Sequence, residues 1–224
     1  DRLQREGGST QKVPLEDPFP KPFVDARDEP MRGKQEPDWR EMTGLRFVLW
    51  HLYFILCGGD PKAYEYSMQW FAFCIQKRQK PATLLVLYGQ QGIGKSAIVS
   101  INESGDGILP RIYGGLDGYF QTCSNIEHVL KDFNADNLNK LFCCLEEATP
   151  YKKGHRNNDQ LGALITNQTM RVESKGLDPI NVNDHRAFCC CTNNRDAFKI
   201  AEGDRRHVML DADDRYSQMV VKEG

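Results

Sequence analysis

The sequence predicts an α/β fold with a mostly parallel central sheet, preceded by a small helical region. Three observations support this prediction. Short runs of apolar, β-type residues recur after residue 83, and helical or polar segments separate them. Three of these runs are apolar almost throughout, which is typical of strands covered on both faces. Before residue 83, the apolar residues instead follow a helical pattern. Strands that alternate with helices favour an α/β sandwich around a parallel sheet.

Two helices are predicted ahead of the sheet. The first runs from about residue 43 to 57 and ends at Gly58, because glycine is common just past the end of a helix. Asp60 is a suitable N-cap for the second helix, with Pro61 at its first helical position. This second helix ends before Pro81. Its apolar and aromatic residues lie on several faces, and we expect both helices to be buried.

Four strands are predicted in the region that follows. They are Leu84–Tyr88, Leu141–Leu145, Ala187–Thr192 and His207–Leu210. Between the first two, a capping box at Ser124–Glu127 predicts a helix that extends to about Phe133.

The composition of the 224-residue chain is typical of a globular protein, with 40% hydrophobic and 27% charged residues. Its 29 Lys and Arg residues nearly balance 31 Asp and Glu residues, which gives a net charge of −2. This balance excludes a protein that coats nucleic acid by bulk positive charge, so any such contact must come from local clusters. The longest nearly apolar run, Phe47–Cys57, is shorter than the roughly 20 residues that cross a bilayer, so no membrane partner is predicted.

Three segments are predicted along the chain. Residues 1–38 hold six of the 11 prolines and few apolar side chains, so we interpret them as a Pro-rich linker or strap. Residues 39–80 form the N-terminal helical region, and residues 81–224 form the domain built around the sheet. Since the chain begins with Asp1 rather than Met, we expect it to be a segment of a larger protein.

The eight cysteines form no C-x-x-C motif, and the five histidines have no metal-ligand spacing. Neighbouring cysteines on a strand point to opposite faces, so the pair at 143–144 and the triplet at 189–191 are not expected to hold a metal. We interpret the cysteines as small buried side chains in a reducing compartment, which predicts an intracellular location in the cytoplasm or nucleus of a host cell.

A phosphate-binding motif directly follows the first predicted strand. It comprises Gly89, Gln90, Gln91, Gly92, Ile93, Gly94, Lys95 and Ser96, a complete G-x-x-x-x-G-K-S. The glycines let the backbone curl so that its N–H groups, with the start of the next helix, face a phosphate. Lys95 would bridge the outer phosphates of ATP, and Ser96 would bind Mg²⁺. Ordinary residue frequencies make a chance match in this chain a roughly 1% event, so the motif predicts a site for ATP and Mg²⁺.

Two further strand ends carry groups suited to hydrolysis. Glu146 and Glu147 follow the predicted strand Leu141–Leu145, and the ligand crevice of an open α/β sheet lies at such strand ends. On this interpretation Glu146 helps to hold Mg²⁺, mainly through water, and Glu147 is the base that activates water. A solvated acidic pair is the alternative. Asn193 or Asn194, after the next strand, could hydrogen-bond the γ-phosphate or the attacking water, although Asn-Asn is also an ordinary turn signal.

The order of these features resembles the superfamily 3 helicases, and within them the viral and mobile-element branch like the poxvirus-type primase-helicases. The resemblance covers about residues 43–212. The matching segments are Gly89–Ser96, Glu146–Glu147, Met170–Lys175, Thr192–Asn194 and Gly203–His207. One departure is Gly162, where the branch commonly has a lysine.

This resemblance implies an AAA+ P-loop ATPase that assembles as a ring, usually a hexamer, around one nucleic-acid strand and hydrolyses ATP between subunits. It implies catalytic roles for Lys95, Glu147, Asn193 and Arg205, of which Asn193 would be the sensor and Arg205 the arginine finger. Lys175 would contact nucleic acid from the pore hairpin, together with Arg171 in the same segment. Asn194 and Arg206 are the alternative sensor and finger.

The residues around Lys175 support part of this picture independently. Met170–Val172 and Ile180–Val182 are β-type runs on either side of Lys175-Gly176, which predicts a hairpin with a basic, flexible turn. Six such turns on one axis would let a nearly neutral protein grip a strand. The alternatives are a solvated surface Lys175 and a structural ion pair between Arg205 and nearby acidic residues.

The sequence therefore predicts an ATP-dependent DNA helicase or translocase motor that acts in the replication of a virus, phage or mobile element. Its predicted partners are single-stranded DNA, further copies of the same chain, and other replication domains or proteins. Two alternatives stay open: an AAA+ ATPase that remodels or assembles proteins without helicase activity, and a nucleotide-binding module without turnover.

Overall fold

A computed structural model describes residues 44–102, 105–124, 129, 134–146, 155–195, 197, 198, 200, 203–214 and 217. The proposed strap at residues 1–38 lies outside these ranges, as do most of the capping box at Ser124–Glu127 and the helix predicted after it. In chain order the first elements are α1 (Gly44–Trp50), a π-helical turn (His51–Leu56), α2 (Pro61–Lys77), β1 (Leu84–Tyr88), α3 (Ser96–Val99), β2 (Ile101–Asn102), β3 (Gly105–Asp106) and α4 (Ile108–Ile112). There follow β4 (Phe120–Cys123), a 3₁₀ turn (Ala135–Asn137), β5 (Phe142–Glu146), α5 (His155–Thr166), β6 (Thr169–Val172), β7 (Ile180–Asn183), β8 (Ala187–Thr192) and β9 (His207–Asp211).

The two predicted helices are present, with one difference in the first. The sequence predicts one continuous helix over residues 43–57. The structure instead has an α-helix that becomes a π-helical turn at His51, where the backbone hydrogen bonds join residues five rather than four positions apart. The second helix begins as predicted: the Asp60 carboxylate accepts hydrogen bonds from the backbone N–H groups of Lys62 and Ala63, at 2.8 and 3.4 Å. It ends at Lys77, and the next residue, Arg78, has a left-handed backbone with φ 51°.

The central sheet has five strands in the order β4-β5-β8-β1-β9, and every neighbouring pair is parallel. This confirms the predicted mostly parallel α/β fold. The four predicted strands are all present, but β5 begins at Phe142 and ends at Glu146, one residue later than predicted. The first of the two acidic residues therefore belongs to the strand itself. Two small antiparallel pairs, β2-β3 and β6-β7, stand beside the main sheet.

Alternate residues of each central strand enter two different cores, because side chains of a strand point to opposite faces in turn. Leu85 and Leu87 of β1 pack with the N-terminal helices, whereas Leu84 and Val86 pack with α5. The same alternation separates neighbouring cysteines, and all eight are buried, as predicted; none of them forms a disulfide. Burial raises the pKa of the Cys57 and Cys74 thiols to about 12, so these groups are neutral at physiological pH.

Burial of the first helix is partial. The π-helical turn is almost wholly buried, whereas Leu45 and Phe47 of α1 are exposed. The expectation that this helix is buried throughout is therefore wrong for its first turn, which extends past the edge of the core. Over the described residues, no helix combines the length and apolar character needed to cross a membrane.

We predict that Leu85→Ala lowers the free energy of unfolding by about 2–5 kcal/mol, because Leu85 is completely buried in the central strand and its removal leaves a cavity. Urea denaturation would measure the change. The control is Leu116→Ala, since Leu116 is 53% exposed and should change stability by no more than about 0.5 kcal/mol. Equal effects of the two substitutions would contradict the described core.

Candidate functional site

The phosphate-binding motif forms the connection between β1 and α3 at the carboxyl edge of the sheet. Two of its glycines, Gly92 and Gly94, have left-handed backbones with φ 84° and 82°. A Cβ at Gly92 would meet nothing within 4 Å, whereas a Cβ at Gly94 would lie 2.7 Å from the His51 ring. Gly94 is therefore required for two reasons, its backbone conformation and the close approach of a side chain.

Lys95 is buried beneath this connection. Its ammonium donates hydrogen bonds to the carbonyl oxygens of Gly89 and Gln90, at 2.6 and 2.5 Å, and to Asn193 Oδ1 at 2.7 Å. Burial lowers the pKa of Lys95 below its ordinary value. Among the residues that the structure describes, the hydrogen-bond partners of this cation are neutral oxygens. An anion bound above the loop would stabilise the ammonium, so these residues fit a phosphate ligand.

His51 contacts the same loop from the N-terminal helical region, and sequence reasoning missed it. Its Nε2 lies 3.1 Å from the carbonyl oxygen of Gly94, and its ring stacks on Phe47. Burial lowers the pKa of His51, which favours the neutral ring with its N–H donated to that carbonyl. The only signal in the sequence was a histidine inside an apolar helical run. The residue that it contacts is 43 positions away.

Asn193 and Glu146 lie at the carboxyl ends of neighbouring strands β8 and β5. Asn193, rather than Asn194, contacts Lys95. The Glu146 carboxylate accepts a hydrogen bond from the Ser100 hydroxyl, which is close to the end of α3. Glu147 lies outside the described residues, so its predicted role as a base stays a prediction, as does the predicted binding of Mg²⁺ by Ser96 and Glu146.

A cleft of about 510 Å³ opens beside the start of the phosphate loop. Its lining includes Gly58, Tyr88, Gln90, Arg195 and residues 211–214. The Gln90 amide donates to Asp214 Oδ2 at 3.3 Å, and Arg195 lies 3.5 Å from Asp211 and over the Tyr88 ring. The volume is in the range typical of small-ligand sites, which run from about 300 to 1,000 Å³.

Arg205 and Arg206 lie at the opposite edge of the sheet, because both precede β9 and β9 is parallel to β1. Arg206 is held within the chain: its backbone N–H and guanidinium bond to Asp204, and the guanidinium lies against Gly162. A Cβ at Gly162 would overlap Arg206 Nη1. Because this atom is at the far end of a partly exposed side chain, a larger residue at 162 would displace the Arg206 guanidinium from its present position. Arg205 is exposed.

The predicted hairpin is present as the antiparallel pair β6-β7, with Lys175 and Gly176 in its turn. Lys175 is exposed, and Gly176 is left-handed with φ 76°. Arg171 is also exposed but lies 2.9 Å from the Glu173 carboxylate, so its charge is partly neutralised. Leu177, at the turn, is 73% exposed, which the sequence analysis did not anticipate.

The two groups of predicted residues thus lie at different edges of the sheet. Lys95 and Asn193 meet at the carboxyl edge, where β5 also brings Glu146. Lys175 and Arg171 belong to the hairpin that directly precedes β8. The base of this hairpin therefore lies at the amino edge of the sheet, as does Arg205. Within the described ranges, no group of three or more His, Cys, Asp or Glu side chains is arranged to hold a metal ion.

Comparisons with known proteins identify a family and a shared fold. A family model described as a family of unknown function, DUF5906, matches residues 87–206. The chain is 23% identical over 154 residues to the DNA primase-polymerase of Nitratiruptor phage NrS-1, a match that covers 68% of this chain and 20% of that protein. The chain therefore spans about a fifth of the length of this curated relative.

Solved structures of the NrS-1 C-terminal region share the fold. The apo structure superposes with a TM-score of 0.64 at 17% identity, over 81% of this chain and 42% of that chain. An A-form apo structure of the same region gives a TM-score of 0.62 at 19% identity, over 84% of this chain and 41% of that chain. At these identities the likeness concerns the fold.

We predict that Gly94→Ala destabilises the protein more than Gly92→Ala. Both substitutions impose a strain of about 1–2 kcal/mol because of the left-handed backbone, but only the methyl group at Gly94 also meets His51. In a His51→Ala background the difference between the two substitutions should disappear, as measured by urea denaturation. A difference that persists without the His51 ring would contradict the close approach between the helical region and the loop.

Proposed function

We propose that the chain, which belongs to the family of unknown function DUF5906, is an ATP-hydrolysing motor. Its proposed fold is an AAA+ P-loop fold of the superfamily 3 helicase type. Its proposed role is movement along single-stranded DNA in the replication of a phage or related element. The observation that carries the proposal is Lys95, a buried ammonium in a complete phosphate-binding motif whose described partners are neutral oxygens.

A nucleoside triphosphate would supply the negative charge that the surroundings of Lys95 lack. On binding, Lys95 would exchange loop carbonyls for phosphate oxygens, and the backbone N–H groups of the loop would donate to the same phosphates. The adjacent cleft of about 510 Å³ supports a place for the nucleoside portion beside Gln90. Mg²⁺ would neutralise phosphate charge, with Ser96 and Glu146 as its proposed ligands.

The proposed hydrolysis depends on residues at the same edge. Asn193 already contacts Lys95, so its amide lies close to where an outer phosphate would bind. Glu147 is the proposed base, because it directly follows the strand end that holds Glu146. We assign this motor to residues 81–224. The helical region at residues 39–80 would support it, since His51 packs against the loop.

The position of the two arginines supports a finger that acts on a neighbouring subunit. The five-residue strand β9 rises by about 17 Å, so Arg205 at its start is too far from the phosphate loop of its own chain. Arg206 is paired with Asp204, which leaves Arg205 as the proposed finger. This arrangement requires a ring or another head-to-tail assembly, for which a hexamer is the proposed form.

The exposed turn of the hairpin supports a contact with nucleic acid through Lys175, with Arg171 as a weaker contributor because of its ion pair with Glu173. The similarity to a phage DNA primase-polymerase supports a role in DNA replication. Because the chain matches about a fifth of that relative, the proposed motor is compatible with a longer protein whose other segments perform primase or polymerase reactions.

One observation favours the alternative of a protein-remodelling or assembly ATPase. Leu177 and Ile180 are 73% and 53% exposed near Lys175, and apolar side chains beside an exposed polar turn suit a protein partner as well as a nucleobase. The two functions differ in a direct way, since only the helicase requires its ATPase rate to respond to DNA.

We expect wild-type protein to hydrolyse ATP, and single-stranded DNA to stimulate the rate. Lys95→Ala should abolish turnover, because the loop loses its only lysine. Lys175→Ala should keep the basal rate and lose at least half of the stimulation, since the variant removes a phosphate contact and leaves the nucleotide site intact. Phosphate release with and without a labelled oligonucleotide would measure both rates.

The matched control is Lys62→Ala, which removes another exposed lysine, from α2. An ATPase that DNA does not stimulate would favour the protein-remodelling alternative. Wild-type protein that binds no nucleotide would overturn the proposed function altogether.

We also expect Arg205→Ala and Lys95→Ala subunits to complement each other when mixed. Each variant alone should be inactive, but in a mixed ring an intact Lys95 site can meet the Arg205 of a neighbour. The measurement is the ATPase rate of the mixture compared with each variant. If assembly is intact and the mixture shows no recovery, the proposed finger is wrong.

A further inference from the structure

Three ionisable side chains, Lys80, Asp184 and Arg186, form a buried ion cluster that the proposed chemistry does not use. Their side chains are 1%, 2% and 1% exposed. Lys80 Nζ lies 2.6 Å from Asp184 Oδ2, and Arg186 donates to both carboxylate oxygens at 2.8 and 3.0 Å. Burial would raise the pKa of Asp184, but the hydrogen bonds and charges of Arg186 and Lys80 outweigh it and keep that pKa below its ordinary value. Asp184 is therefore ionised at neutral pH, whereas burial lowers the pKa of the Lys80 ammonium although Asp184 lies beside it.

The cluster joins four segments of the chain. Lys80 lies just before β1, and its ammonium also donates to the carbonyl oxygens of Leu164 and Asn167, both at 2.8 Å, at the carboxyl end of α5. Asp184 follows β7, and its backbone N–H donates to the Gln168 carbonyl at 2.8 Å, which closes the base of the hairpin. Arg186 immediately precedes β8. The hairpin is thus attached at its base to α5, to the segment before β1 and to β8.

The strand β8 connects this cluster to the phosphate loop. All six residues of β8 are buried, and hydrogen bonds join the strand to β1 on one side and β5 on the other. At its far end the Thr192 carbonyl accepts from the Gly89 N–H at 3.2 Å, and Asn193 contacts Lys95. A strand of about 20 Å therefore has the phosphate loop at one end and the base of the hairpin at the other.

We propose that the Lys80–Asp184–Arg186 cluster is a positioning device that holds the hairpin to β8, so that nucleotide binding at the phosphate loop changes the affinity of the hairpin for DNA. Lys80 is then a positioning residue, since it touches neither ligand site directly. Lys80 Nζ and Arg186 Cζ also lie 5.5 and 5.2 Å from the centre of the Phe188 ring. Because Phe188 is the second residue of β8, these contacts attach the cluster to the start of that strand. This inference rests on the proposed function, because it needs both nucleotide and DNA to bind.

The test is the thermodynamic coupling between the two ligands. The dissociation constant of a fluorescent single-stranded oligonucleotide is measured by anisotropy with and without a non-hydrolysable ATP analogue. In wild-type protein we expect the two constants to differ by about 5- to 150-fold, the usual range for coupled sites. In Lys80→Met the ratio should fall to near one, while the affinity for each ligand alone stays within about twofold.

Lys80→Met is chosen because it keeps an apolar stem in the buried position and leaves Asp184 paired with Arg186. The control is Lys77→Met, which removes an exposed lysine three residues away and should keep the wild-type ratio. If Lys80→Met does not fold, Arg186→Met, which retains the Lys80–Asp184 pair, provides the same comparison.

A folded Lys80→Met protein that retains the wild-type ratio would overturn the inference. So would an equal loss of affinity for both ligands when each is measured alone, because that result would indicate a general structural role. Failure of the proposed function has a different signature, in which wild-type protein binds no nucleotide or no oligonucleotide.

Discussion

The position of β8 between β1 and β5 is the constraint on which the rest of the structure depends. The strand is paired on both sides and covered on both faces, so neither its register nor its position can change without disturbing two neighbours and two cores. Two features of the described residues lie at its ends. The phosphate loop and Asn193 lie at the carboxyl end, and the hairpin base lies at the amino end.

Two buried lysines differ in the charge that surrounds them. Lys80 has a carboxylate and two backbone carbonyls as partners, and its surroundings are complete without a ligand. Lys95 faces neutral oxygens among the described residues. Burying a charge away from water is unfavourable unless an opposite charge lies close to it, so the surroundings of the two lysines indicate two different roles. The first stabilises a junction of the chain, and the second marks the place where a negatively charged ligand is expected.

The parts of the molecule that depend on local sequence could be predicted, and those that depend on distant contacts could not. The runs that form β1 and β8 are apolar almost throughout, and the glycine pattern of residues 89–96 is specific. The two strands and the phosphate loop could therefore be predicted from the sequence. The hairpin followed from two short β-type runs. His51 and Lys80 were missed because their partners are 43 and 104 residues away and leave no periodic pattern. The contact between Gly162 and the Arg206 guanidinium likewise joins residues 44 positions apart and could not be predicted.

The π-helical turn at His51–Leu56 has a consequence for how the length of this region can vary. A π-helical turn accommodates an extra residue, whereas each residue of an α-helix advances by about 100°. Deleting one residue of the turn would therefore restore regular α geometry and leave Trp50 and the residues before it on the same face. Deleting one residue from α1, by contrast, would rotate the residues before the deletion by about 100° and move them off the face that they now present. Among related chains, a difference of one residue in this region is therefore best placed at the π-helical turn, where the contacts on either side of it survive.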